Sequence, residues 1–199
     1  MDIKISKVAQ GMGTRLATWD FMEKRIVDWK NEHGGSLRTR HRGRRRRPLQ
    51  LGAPVHLILK CNNKALKLGL HSEKCRNLIK ELISLYGDKF NVSVDRLSIQ
   101  RSHIHMLVKF ESRKNAQDFM RILPGQIAQR MRQQRLAFQN QKLWESRPFT
   151  RNVLDQRSYK ILLSYFKLND LELAGKLPYQ KERLRGLSRG KLLELWAEP

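Results

Sequence analysis

Residues 103–110 read His103-Ile104-His105-Met106-Leu107-Val108-Lys109-Phe110. Successive side chains of a strand point to opposite faces, so His103, His105, Leu107 and Lys109 share one side while Ile104, Met106, Val108 and Phe110 share the other. The second set is apolar throughout and belongs to a core. The first set places two imidazoles side by side on the remaining face, where a divalent cation with an open third position is a plausible ligand. In a chain with six histidines such a pair also arises by chance, or as solvent-facing strand residues, so alone it is a weak metal signal.

The flanking sequence supplies the rest of a domain. Val55-His56-Leu57-Ile58-Leu59, bounded by Gly52 and Pro54 before and Asn62-Asn63 after, reads as a first strand. Ser72 is a candidate N-cap for a helix through Cys75, Leu78, Ile79, Leu82, Ile83 and Tyr86 that stops at Gly87. A strand from about Phe90 to Gln100 carries Val92 and Val94, then Leu97 and Ile99, and a tight connection at Arg101-Ser102 leads into 103–110. A helix from Lys114 to Gln134 should break or kink at Pro124-Gly125. Leu143-Trp144 to Val153 reads as extended, and Asp155 caps a helix from Arg157 to about Leu168. This order predicts an α+β fold, a mostly antiparallel sheet with helices on one face and the other face free for a ligand.

A length of 199 residues suits one domain with extensions. The division expected is 1–47, 48–176 and 177–199. In the first part Leu16, Trp19, Met22, Ile26 and Trp29 mark an amphipathic helix stopped by Gly34-Gly35. Arg38, Arg40, Arg42, Arg44, Arg45, Arg46 and Arg47 follow, with nothing apolar to bury, as a mobile basic arm. The last part is basic, with an apolar cluster at Leu192, Leu193, Leu195 and Trp196.

The 41 Lys and Arg against 18 Asp and Glu give a net charge of +23, which calls for a polyanionic partner, nucleic acid first. No stretch approaches the roughly 20 apolar residues of a membrane span, and no signal-peptide core opens the chain, so a soluble cytosolic protein is expected. Arg38 to Arg47 and the Arg130, Arg132, Arg135 face should bind DNA phosphates with little base specificity. Phe149 or Trp144 could stack on unpaired bases, although Trp144 serves a core equally well. Cys61 and Cys75 form no metal or disulfide pattern and read as reduced and structural.

Tyr165 and Asn169 lie four residues apart, which sets them on one helical face, so a phenol and an amide can address one point. The alternative for Tyr165 is an aromatic on the buried face beside Ile161 and Leu162. Tyr159 is a weaker nucleophile candidate because the residue four beyond it is Leu163, and Tyr179 is weaker still. His56 reads as a satisfied core or sheet-face histidine, and His33, His41 and His71 as surface residues.

Taken together, Pro54-Val55-His56-Leu57-Ile58-Leu59-Lys60, Ser102-His103-Ile104-His105-Met106-Leu107-Val108, Trp144, and Tyr165-Phe166-Lys167-Leu168-Asn169-Asp170 with Ala174-Gly175 beyond it resemble the single-tyrosine HUH transposases of the IS200 type. The likeness is closest to REP-associated tyrosine transposases, and it spans about Gly52 to Gly175. Where that family usually has Asn before the first histidine and Pro after the metal-binding Asn, this chain has Ser102 and Asp170. The resemblance implies a ferredoxin-like sheet in which His103, His105 and Asn169 hold Mg²⁺ or Mn²⁺. It further implies that Tyr165 attacks a scissile phosphate of hairpin-forming single-stranded DNA and leaves a 5′-phosphotyrosyl link, inside a bacterial cytoplasm and at the nucleoid when bound. A homodimer is one assembly it allows. Two other readings stand beside it: a domesticated or RNA-binding protein of the same fold without catalysis, and a rolling-circle initiator or conjugative relaxase. The latter commonly uses other metal ligands or two tyrosines.

Overall fold

A computed structural model describes residues 47–179 together with the backbone of residues 33 and 34. The helix expected over 14–32, the arginines from 38 to 46 and the 192–196 cluster lie outside the described residues.

Among the described residues five strands and three α-helices follow in order: β1 (His33–Gly34), β2 (Pro54–Lys60), α1 (Glu73–Lys89), β3 (Val92–Ile99), β4 (His103–Phe110), α2 (Arg113–Gln133), β5 (Phe149–Asn152) and α3 (Gln156–Leu173). The sheet order is β1-β5-β2-β4-β3 with every pairing antiparallel. The succession β2-α1-β3-β4-α2-β5, with β2 and β4 inside, is the expected ferredoxin-like α+β arrangement. β1 adds two residues from the 1–47 segment at the β5 edge, where a helix stop was expected at Gly34-Gly35.

The two-residue period of β4 builds the core as anticipated. Ile104, Met106, Val108 and Phe110 are fully buried and pack with Val55, Leu57 and Leu59 of β2, Leu78, Ile79, Leu82 and Ile83 of α1, and Phe119, Leu123, Ile127 and Met131 of α2. In β3 the apolar positions switch parity between Val94 and Leu97, and the pairing explains it. A register irregularity between Val94 and Arg96 inserts one extra residue, a β-bulge that returns Leu97 and Ile99 to the core.

The break expected at Pro124-Gly125 does not occur, and the stop expected at Gly87 comes two residues later. α2 runs unbroken through Pro124-Gly125. Leu123, Pro124 and Ile127 are buried there, and their packing outweighs the one hydrogen bond a mid-helix proline removes. α1 continues past Gly87 to Lys89. Gly87 bears on packing rather than on termination, because a Cβ there would stand 3.2 Å from the Val92 carbonyl oxygen of β3, a tight contact. Of the two expected caps, Asp155 forms, its Oδ1 accepting from the Ser158 amide at 2.7 Å, whereas Ser72 sits at the start of α1 without a side-chain cap hydrogen bond. Ser112, not singled out in the sequence, caps α2 by accepting from the Asn115 amide at 3.1 Å.

α3 departs from the one-sided arrangement. It lies across the sheet face opposite α1 and α2, where Leu162 and Phe166 bury against Leu107 and Val153 in a second, smaller cluster. The ligand face is therefore partly roofed by the helix that carries Tyr165.

Phe119 is among the largest fully buried side chains and meets Phe110 edge to face at 6.3 Å. Truncating it should leave a cavity the core cannot refill. Phe119→Ala is expected to cost about 3–5 kcal/mol, measured as a lowered urea midpoint with an unchanged slope.

Candidate active site

β4 offers His103 and His105 to the α3 side of the sheet, and its neighbours complete the floor. Across the β2–β4 pairing Lys60 lies opposite His103, Ile58 opposite His105 and His56 opposite Leu107. Across β3–β4, Ser98 stands opposite His105. On the far side of β2, Arg151 of β5 is registered with His56. Alternation along β2 and β5 sends His56 and Arg151 to the same face as the two histidines.

The aromatic rings converge. His103 and His105 meet edge to face with centroids 4.6 Å apart, and Tyr165 stands edge to face with His105 at 5.3 Å. Tyr165 is half-buried against the Leu107–Phe166 cluster, so its ring is both packed and presented to the histidines. The helix stays regular through Leu173, which keeps Asn169 one turn beyond Tyr165. Asn169 is only 2% exposed, and its Nδ2 is a buried polar atom. Its position is fixed by its neighbour: Ser98 Oγ donates to Asp170 Oδ1 at 2.5 Å and accepts from Gln100 Nε2 at 2.8 Å. The turn bearing Asn169 is thus pinned to the β3 residue directly opposite His105. Residue 170 is exposed as a whole, yet its carboxyl is turned in against the sheet. That burial raises its pKa, with the Ser98 hydrogen bond and Arg96 opposing the rise.

Both histidines of the pair have an engaged Nδ1. His105 Nδ1 is 3.0 Å from His56 Nε2 in a buried contact, and His103 Nδ1 is 3.1 Å from Ser102 Oγ. Each would then meet a cation through Nε2. If the Asn169 amide oxygen joined them, the donor set would hold two nitrogens and one oxygen, a combination suited to Mn²⁺ or Mg²⁺, and the remaining positions would fall to water or phosphate oxygens. Among the described residues no group of three or more His, Cys, Asp or Glu side chains could hold a metal, so any cation here depends on the amide and on exogenous oxygen.

The other expected site residues are placed as follows. Arg47 donates to the Pro148 carbonyl at 2.8 Å and to Thr150 Oγ1 at 2.9 Å, which ties the end of the basic run to the β5 edge. Burial, with Arg147 beside it, lowers its pKa. Arg130, Arg132 and Arg135 sit at the C-terminal end of α2, the helix over the opposite face. Arg130 and Arg135 are exposed, and Arg132 donates to the Gln141 carbonyl at 3.0 Å. Trp144 packs against the main core and donates its indole N–H to the Pro124 carbonyl at 2.8 Å. Cys61 and Cys75 are free and buried; burial above all pushes the Cys61 thiol up to about 12, which removes it as a nucleophile. Tyr159 is half-buried against the α3 cluster and Tyr179 is exposed.

Two contributors carried little signal in the sequence. His56 was legible as a sheet-face residue from β2 alternation, but its partner lies 49 residues away. Arg151 followed only from the β2–β5 register. On this face Lys60 is paired with Glu145 at 2.8 Å and Lys109 with Asp95 at 3.2 Å.

Burial, and secondarily Arg151, hold the His56 pKa at about 4, so His56 folds neutral. Between about pH 4 and 6.5 the unfolded chain binds a proton that the native state does not, and stability falls as the pH drops through that window. Of this acid loss, up to about 3 kcal/mol should belong to His56. Urea unfolding between pH 4 and 8 checks it: His56→Leu should show a shallower decline than the parent, and parallel curves would contradict it.

Among the described residues no helix is long and apolar enough to cross a membrane. No curated protein matches the chain. Among solved structures, that of a REP-associated tyrosine transposase bound to a REP hairpin is similar in fold, with a TM-score of 0.54 at 13% identity, covering 75% of this chain and 88% of that one. The family model described as IS200-like transposase matches residues 52–167, a span that holds His56, His103, His105 and Tyr165 and ends two residues before Asn169. With more than half of its length matched, the chain belongs to the IS200-like transposase family.

Proposed function

We propose that this transposase cleaves and rejoins single-stranded DNA through Tyr165, with His103, His105 and Asn169 holding Mg²⁺ or Mn²⁺. The observation that carries the reading is the convergence of the His103, His105 and Tyr165 rings on one sheet face. A bound divalent cation would polarise the scissile phosphate and offset charge developing on its oxygens. The chain's own groups do the rest. Tyr165 Oη sheds its proton and bonds to phosphorus, the bond from phosphorus to the 3′ oxygen breaks, and that oxygen leaves as a 3′-hydroxyl. The 5′-phosphotyrosyl ester keeps the bond energy, so a second 3′-hydroxyl can reverse the exchange without a nucleotide cofactor.

Packing of Phe166 and Leu162 against Leu107 and Val153 holds the nucleophile's helix over the histidines, an advantage of orientation. Arg151, on the same face, adds positive charge where a phosphate would lie. A hairpin-forming strand is the favoured substrate, in keeping with the REP hairpin held by the structural neighbour. The basic segment ending at Arg47 would supply salt-sensitive affinity for its backbone.

Incubation with hairpin-bearing single-stranded DNA and Mn²⁺, followed by denaturing electrophoresis, should give a protein–DNA adduct that Tyr165→Phe abolishes. His103→Ala and His105→Ala should each slow its formation by roughly 10²-fold or more. An adduct surviving in Tyr165→Phe would refute the assigned nucleophile. Tight hairpin binding without an adduct would instead favour a domesticated, non-catalytic protein of the same fold.

A further inference from the structure

We infer that His56 and Ser102 are positioning residues that fix the tautomer of the two HUH histidines, each by taking up an Nδ1–H so that both Nε2 lone pairs are presented to the cation. The inference rests on the metal reading proposed above, and it assigns a task to two residues outside the ligand set.

His56 Nε2 and His105 Nδ1 are 3.0 Å apart, and their rings are stacked at 5.2 Å with 25° between planes. His56 is 8% and His105 2% exposed, so water cannot replace this bond. One ring must donate and the other accept. If His105 is to ligate through Nε2, its proton belongs on Nδ1 and His56 must be the acceptor, with its own proton on Nδ1. β2 supplies the geometry: His56 is registered with Leu107 and not with His105, so it reaches His105 diagonally across the pairing and meets the ring's Nδ1 edge. Phe166, with its ring 5.6 Å from His56 and 6.0 Å from His105, closes the opposite side. His103 receives the matching constraint from its own predecessor, through Ser102 Oγ at 3.1 Å. An outer partner of this kind orients a ligating imidazole and raises its basicity. In this chain one is a hydroxyl at the strand entrance and the other is a third histidine.

An isolated neutral imidazole in water favours the proton on Nε2, so removing the acceptor should return His105 to that form. Long-range ¹H–¹⁵N spectra of metal-free protein at pH 8 should show His105 protonated on Nδ1 in the parent. The same spectra should show it protonated on Nε2 in His56→Leu, with far-ultraviolet dichroism unchanged. Mn²⁺ affinity, read by electron paramagnetic resonance, should fall roughly 10- to 100-fold in His56→Leu. His56→Gln, whose amide oxygen can accept the same hydrogen, should recover both the tautomer and most of the affinity; it also serves if the leucine variant fails to fold. Ser102→Ala should shift the His103 tautomer alone. A parent His105 protonated on Nε2, or a tautomer indifferent to residue 56, would overturn the inference. A parent with the expected tautomers that binds no Mn²⁺ would overturn the metal reading instead, because the tautomer is measured without metal.

Discussion

Everything at the site depends on the alternation of β4, a strand whose two faces serve two purposes. Its odd-numbered face carries the imidazoles and its even-numbered face carries the core, and both are buried near the middle of the strand. A slip of one residue would drive His103 and His105 into the apolar layer under α1 and α2 and turn Ile104 and Met106 outward. The transfer cost of that exchange makes the register close to obligatory. β2 and β3 bind β4 from both sides, so the histidines sit on a central strand, the most rigid place a sheet offers.

The bulge in β3 extends this constraint to the third element. Without the extra residue between Val94 and Arg96, strict alternation from Val92 and Val94 would send Ser98 into the core and Leu97 to the histidine face. The bulge exchanges them. A hydroxyl rather than an isobutyl group then faces α3 beside His105, where it donates to Asp170. α3 itself is fastened by a small apolar cluster, Leu162 and Phe166 on Leu107 and Val153, far less than secures α1 and α2. A polar tether at the far end of such a helix matters more than it would in the main core, because it fixes where the turn with Asn169 comes down.

Local signals in the sequence were read most securely where one residue type has one physical use. The cap at Asp155 and the parity of 103–110 are of this kind, and they located the sheet and the start of α3. Pro124 and Gly87 do not end their helices because helix-breaking tendencies are weak against tertiary packing: Pro124 is buried and accepts a part-buried indole hydrogen bond, and Gly87 lies close to the backbone of β3. The placement of α3 over the histidine face was illegible, since an amphipathic helix records that it buries a stripe and not which side of a sheet receives it. His56 was a histidine in an apolar strand, and only the pairing of β2 with β4 shows that its neighbour is His105.

Asp170 stands where the resemblance implies a proline, and the geometry shows what an aspartate does there. A proline there has no N–H, and within a helix it forfeits the bond to the carbonyl four residues back, here that of Phe166. With aspartate the helix runs intact past Asn169 to Leu173 and closes on Gly175, whose φ of +72° lets Lys176 bond back to the Leu171 carbonyl at 3.0 Å. The carboxylate then supplies the attachment to Ser98 that a proline could not. The aspartate thus gives a continuous helix with a side-chain anchor. That anchor couples the Asn169 turn to Ser98 of β3, the residue paired with His105 of β4, so the turn is positioned against the same pair of strands that carries the imidazoles.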